Sequence, residues 1–233
     1  LRGLVGFVAV LMVWELVSRT ETINPAFLPP ASVVLQRLGE LTVDPPFLMH
    51  VLATLQAWAI GLGISVVVAV TAGVLLGSSH LAYAASRALI EFLRPIPSVA
   101  LIPLAILLFG RGTEMKVSLI VYASIWPILF NTIYGIHDVE PVAKDTARSF
   151  GFGRFKILMR VALPSAMPFI YTGVRIASAV ALILAVSAEL IGGGSRGLGV
   201  FIQIAQATGG RPDLVLAGTI VTGLLGWLIN HAS

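Results

Sequence analysis

The densest chemical signal in the sequence is positive charge. Of fifteen Lys and Arg residues, five fall in "KDTARSFGFGRFKILMRVALP", residues 144–164: Lys144, Arg148, Arg154, Lys156 and Arg160. Cations interleaved with Val142, Phe150, Phe155 and Leu158 have the chemistry of a docking surface, either for anionic lipid headgroups or for a groove on a cytoplasmic partner. A second signal is Glu189, beside Ser187 and just before Gly192, Gly193 and Gly194. An ionisable group near membrane depth is costly and often functional. Two roles stay open for it, a gate or pathway residue and a helix-pairing or interfacial residue within reach of water. Asn131, one turn after Pro127, joins Ser187 and Glu189 as candidate lining of a translocation pathway.

Other chemistries are missing. With no cysteine there is no disulfide, thiolate metal site or thiol nucleophile. His50, His80, His137 and His231 lack metal-ligand spacing. A phosphate loop needs G-x-x-x-x-G-K-[ST], and the nearest stretch, "GGGSRGL" from Gly192, has Leu198 where the lysine belongs. No nucleophile, base or metal cluster converges, no bound cofactor is expected in this chain, and no nucleic-acid partner is expected.

The elements that must carry these residues are hydrophobic. The chain is 57% apolar and 11% charged, and apolar runs of roughly 20 residues, enough to cross a bilayer core, recur along it. The expected class is an all-α membrane protein with about six transmembrane helices, at about 4–17, 52–77, 92–110, 117–136, 167–191 and 214–229, in one domain over 1–233. The start at Leu1 reads as trimmed rather than as a signal peptide, and the stop at Ser233 leaves the C-terminal end open. Pro95, Pro97, Pro103 and Pro127 predict kinked spans packed inside protein. Gly73 and Gly77 in the second span, and Ala177, Ala181, Ala185 and Ala188 in the fifth, are small-residue stripes suited to close packing or to a sliding, pore-lining seam. Glu15 reads as an interfacial or inter-helix partner, Glu91 and Arg94 as a surface pair, and Arg175 as a snorkelling cation.

The basic loop, about 138–165, is expected in the cytoplasm by the positive-inside rule. Nine basic residues, Arg2 among them, then face in and six face out. Its pattern predicts two short amphipathic helices. The first starts near Asp138 and Pro141, with Val139, Val142, Ala143, Thr146, Ala147 and Phe150 on one face. Gly151 supplies a left-handed stop. A second piece places Phe155, Leu158, Met159 and Ala162 together and closes at Leu163 and Pro164, before the fifth span.

The spacing D-T-A-x-x-x-G, nine residues, V-x-L-P resembles the EAA loop of type I ABC importer permeases, E-A-A-x-x-x-G followed after nine residues by I-x-L-P. Asp145, Thr146 and Ala147 stand at its opening, Gly151 at its glycine, and Val161, Leu163 and Pro164 at its close; aspartate for glutamate and threonine for alanine are departures. "INPAFLPP", "EFLRPIPSVALIPLAILLFG" and "TGVRIASAVALILAVSAELIGGGSRGLG" extend the resemblance along the chain, to the nitrate, sulfonate, taurine and bicarbonate branch. The resemblance implies that fold, a second permease copy, two cytoplasmic ABC ATPase subunits that bind ATP and Mg, an external substrate-binding protein and the plasma membrane of a prokaryote. It implies ATPase coupling through Lys144, Asp145, Thr146, Ala147, Arg148, Phe150, Gly151, Leu163 and Pro164. The implied cargo is a small oxyanion, with a heterocyclic vitamin precursor as the alternative. An ion-coupled secondary transporter would show ionisable groups near the midplane, and the second, third, fourth and sixth spans lack them.

Overall fold

In a computed structural model the described residues are 2–20, 22–24 and 26–232, apart from the side chains of Arg2, Leu4 and Ala232. Leu1 and Ser233, used above for the two ends, Pro25 of "INPAFLPP" and the Arg2 side chain of the charge count therefore lie outside them. No strand occurs among the described residues. The helices are α1 (Arg2–Arg19), α2 (Ala31–Leu41), α3 (Pro45–Ser78), α4 (His80–Leu93), α5 (Ile102–Phe109), α6 (Thr113–His137), α7 (Pro141–Ser149), α8 (Arg154–Ile157), α9 (Leu163–Gly192), α10 (Leu198–Ala207) and α11 (Pro212–Ala232). A 3₁₀ turn, Ser98–Leu101, precedes α5, and a π-helical turn, Leu158–Ala162, joins α8 to α9.

The core is a three-helix sandwich of α3, α6 and α9. Along α3 the buried positions Ala57, Gly61, Ser65, Ala69 and Gly73 recur every fourth residue, the spacing that lines one face of a helix. A Cβ added at Gly61 would lie 2.5 Å from Ile120 Cγ2, and one at Gly73 would lie 2.6 Å from Thr132 Cβ. The two helices thus run parallel in close approach, and Gly73 and Gly77 are a packing seam. On the other side of α6, Gly135 meets Ala166 and Phe169, and Gly173 meets the Pro127 carbonyl, so α9 runs antiparallel. All four alanines of the α9 stripe are fully buried. Overpacking such a seam costs about 1–3 kcal/mol. Gly73→Val should lower the melting temperature of the detergent-purified protein, whereas Gly63→Val, with nothing within 4 Å of its Cβ position, should leave it nearly unchanged.

Parallel α3 and α6 require the chain to return between them, and the return is broken. The span expected at 92–110, kinked at its prolines, is the end of α4 followed by the 3₁₀ turn and α5, with the two helical parts bent by 78°. Residues 80–91, outside the expected spans, are already helix, with Ser79 accepting the Ala82 N–H as the cap of α4. The break sits at Pro95 and Pro97, which lack an amide donor, while Pro103 is tolerated in the first turn of α5. Tyr122 of α6 holds the end of α4 by donating its hydroxyl to the Leu93 carbonyl (2.6 Å). Arg94 lies over the Phe130 ring, 4.6 Å from its centroid, and Glu91 pairs with Arg87, not with Arg94 as expected (2.7 Å).

Among the described residues four helices are long and apolar enough to cross a bilayer, or five if the bent pair counts as one span. The expected six is therefore not reproduced by length and composition. The helix α1 carries Arg2, Glu15 and Arg19 within its 18 residues, too many charges for that count. Glu15 is an inter-helix partner: it pairs with Arg19 and accepts the amide and hydroxyl of Ser32, at the start of α2. Arg37 of α2 reaches Asp213 at the start of α11 (3.1 Å), and Arg211 shares that carboxylate, which raises the Arg211 guanidinium above its ordinary value. Arg175 donates to the Asn230 carbonyl (3.0 Å), binding α9 to α11.

Candidate functional site

At one end of the bundle, where α3 and α6 finish and α9 begins, the basic loop folds back. Pro141 starts α7 in the first turn, where no intrahelical N–H is needed. The helix stops at Gly151, whose φ is +76°. Its N–H donates to Arg148 O (2.8 Å) and the Phe152 N–H to Ala147 O (3.0 Å), a double closure of the last carbonyls. Lys156 then sits 4.0 Å from the Phe152 ring centroid. The predicted turn is present.

The predicted faces are not. Val139 is buried against the ends of α6 and α9 and Ala147 is buried too, whereas Val142, Phe150 and Phe155 are 71–77% exposed, and Thr146 is exposed with them. The apolar stripe is therefore split into an inner edge and an uncovered outer face. Beyond it, Ile157 and Ala162 are buried while Met159 is not. Lys144, one of the clustered cations, is half-buried and donates to the Ile136 carbonyl closing α6 (3.3 Å). Arg148 pairs with Asp145 (2.6 Å).

Leu163 and Pro164 were expected to close the second piece. They do not: helix runs unbroken from Arg154 to Gly192. Proline at 164 has no N–H to donate, and the preceding π turn, in which the Leu163 N–H reaches Leu158 O, widens the helix where the normal ladder would fail. Leu163 is half-buried and Pro164 exposed.

At the opposite end two buried charges, Lys116 and Glu189, meet. Glu189 is fully buried, and Lys116 in the first turn of α6 is 5% exposed; their Nζ–Oε1 distance is 2.9 Å. Thr54 of α3 donates its hydroxyl to the same carboxylate (2.9 Å to Oε2), and the Gly199 N–H donates to Oε2 (3.0 Å). Thr54 in turn accepts the Leu198 N–H (2.8 Å), so the start of α10 is held by one carboxylate and one hydroxyl. Lys116 also donates to the Arg196 carbonyl (3.2 Å). His50 contacts the Gly197 backbone on both N and O (3.1 and 2.9 Å).

Gly197, at φ +149°, must be glycine: a Cβ there would lie 2.1 Å from the Glu189 Cδ. Glu189 thus does not reach water, as its near-interface position suggested; a buried cation, one hydroxyl and one backbone N–H replace the solvent. Thr54, His50, Lys116, Gly197 and Gly199 were missed from sequence. The available signal was Lys116 itself, a lone cation opening a long apolar helix.

Asn131 and Ser187 are not brought to this node. The Asn131 amide donates to Pro127 O (2.8 Å), bridging the α6 proline turn where Gly173 packs. Ser187 is half-buried and stands two residues, about 200° of helix rotation, from Glu189.

The family described as binding-protein-dependent transport system inner membrane component matches residues 61–233. The chain is 34% identical to the taurine transport system permease protein of Escherichia coli (strain K12), covering 97% of this chain and 84% of the relative. It is 29% identical to a nitrate import permease protein of Leptolyngbya laminosa, covering 97% and 82%, and 30% identical to a bicarbonate transport system permease protein of Synechococcus elongatus, covering 99% and 84%. Its fold is similar to a chain of the MetNI methionine ABC transporter in an inward-facing conformation, with TM-score 0.68 at 19% identity, over 81% of this chain and 94% of that one.

Proposed function

Because the chain belongs to the binding-protein-dependent transport system inner membrane components and is a permease subunit of an ABC importer, we propose that its cargo is a small oxyanion, of the taurine, sulfonate, nitrate or bicarbonate kind. The chain is a multi-pass membrane protein without an ATPase motif, and nucleotide is bound and hydrolysed by separate partner subunits. The relatives' printed cargoes, sharing one anionic oxygen-rich chemistry, support the substrate class.

In this reading two copies of the chain pair in the plasma membrane of a prokaryote. Two cytoplasmic ABC ATPases, binding ATP and Mg, seat on the loop 138–165, and an external binding protein delivers cargo at the far end. The carrying observation is the outer face of α7: Val142 and Phe150 stay uncovered, on a loop whose cations include the exposed Arg148, Arg154 and Arg160. Lys144, Asp145, Thr146, Ala147, Leu163 and Pro164 shape that loop, with Gly151 setting its turn. Asn131, Ser187 and Glu189 belong to the translocation path as elements that hold its helices in register.

The test is purification from native membrane in mild detergent, with identification of co-purifying chains and ATP-dependent uptake of taurine, nitrate and bicarbonate in proteoliposomes. Phe150→Asp, at a site 77% exposed, should leave the permease folded while the ATPase no longer co-purifies. An ATPase retained undiminished by that variant removes the docking face; uptake driven by an ion gradient without ATP removes the coupling.

A further inference from the structure

Beside the buried node lies a cavity of about 220 Å3, between the first turns of α3 and α6 and the glycine loop after α9. We propose that it is a binding site for a small monovalent oxyanion within the permease itself, with Arg196 supplying the charge and Lys116 a buried donor. The proposal rests on the importer reading above and deepens it, since it places the cargo class on this chain rather than on a delivering protein alone.

The wall is built from donors. Lys116, Arg196, Thr113, Ser195 and Gln56 line it, and among the described residues no carboxylate does. An ammonium has three N–H donors; those of Lys116 serve Glu189 and the Arg196 carbonyl, which leaves one for a ligand. Glu189 sits behind Lys116 and neutralises it, so the net charge facing the cavity is that of Arg196, matching one negative charge. The Arg196 side chain is exposed and pairs with no carboxylate among the described residues. Its planar fork suits two oxygens of a sulfonate, nitrate or bicarbonate.

Thr113 and Gly112 bring the start of α6 to the same wall. The cap position, Gly112, has no side chain to satisfy the first amides, so this end of a 25-residue helix adds to the positive field of Arg196, offset in part by the Glu114 carboxylate in the same turn, which is not on the wall. The volume is below the roughly 300–1,000 Å3 of pockets for drug-sized ligands, which favours a cargo of few atoms. Arg37, Arg211 and Asp213, by contrast, satisfy one another, and their neighbouring groove offers no such set of free donors.

The natural absence of cysteine gives a direct test. Leu52→Cys places one thiol on the cavity wall, at a side chain 58% exposed, and its labelling by a maleimide is followed in the assembled transporter. Taurine, nitrate and bicarbonate are the probes. At least one should slow labelling, and Arg196→Gln should raise the concentration giving half-protection about tenfold, the loss of one charge-assisted contact. Arg196→Lys should restore part of it, and Arg111→Gln, outside the wall, should change nothing.

No protection by any of the three anions overturns the proposal, as does protection that survives Arg196→Gln. Failure of the underlying reading looks different: the same complex then takes up none of the three anions on ATP. An intact uptake with an unprotected thiol removes this site and leaves the importer standing.

Discussion

Glu189→Leu alone should destabilise the permease by about 3–5 kcal/mol, and Lys116→Met alone by a similar amount, because each leaves its partner as an unpaired charge in a buried site. The losses do not stop at the ion. Removing the carboxylate also strips the acceptor from the Thr54 hydroxyl and the Gly199 N–H, each costing more buried than it would in water. The double variant Lys116→Met, Glu189→Leu replaces the pair with apolar volume and should recover much of the stability, since a buried pair is often no better than a hydrophobic substitute. Thermal unfolding of the four proteins in one detergent gives the coupling energy, expected to be at least about 1 kcal/mol. Additive losses in the double variant would mean the two side chains act separately, and the node would then be two unrelated burials.

The second large effect belongs to transport. Gly151→Pro should abolish most ATP-driven uptake while leaving the spans as stable as in the parent. Gly151 has φ +76° and donates its N–H to Arg148 O; proline fixes φ near about −65° and has no N–H. The turn must open, and with it the angle between α7 and α8. Nothing lies within 4 Å of a Cβ at this position, so Gly151→Ala tests conformation without crowding. Its left-handed φ costs about 1–2 kcal/mol, and its uptake should fall between parent and proline variant. Coupling free energies of about 1–3 kcal/mol correspond to roughly 5–150-fold, and the proline variant is expected toward the upper part of that range. Unchanged uptake in Gly151→Pro would remove the loop from the coupling path.

Much of the loop was legible because its signals are local. A glycine after an amphipathic turn, a proline at the first helical position and a run of cations all act within a few residues. The split of the apolar stripe was not legible. Val139, Val142, Ala147 and Phe150 are alike to a periodicity argument, and what covers Val139 is the ends of α6 and α9, which no local pattern brings to it. The broken return between α3 and α6 was half legible: Pro95, Pro97 and Pro103 announced distortion, but not a 78° bend that moves the helix start back to His80. The continuity through Pro164 was misread because a proline usually ends a pattern, and a π turn that absorbs it leaves no mark in composition. The Glu189 node depends on residues up to 149 positions apart, from His50 to Gly199, a separation over which no spacing rule operates.

The unbroken helix from Arg154 to Gly192 has 39 residues, about 58 Å at 1.5 Å per residue, against a hydrocarbon core of about 30 Å. Roughly half of it must overhang or lie oblique. The overhanging end carries Arg154, Lys156 and Arg160, whose charges keep it out of lipid, and the other end carries Glu189. Such a beam is braced rather than pivoted: α6 grips it from Gly135 against Ala166 to Met115 against Gly192, and Lys116 pairs with Glu189 near its end. Its two ends, the cation-bearing overhang and the turn before the glycine loop, are therefore parts of one stiff member.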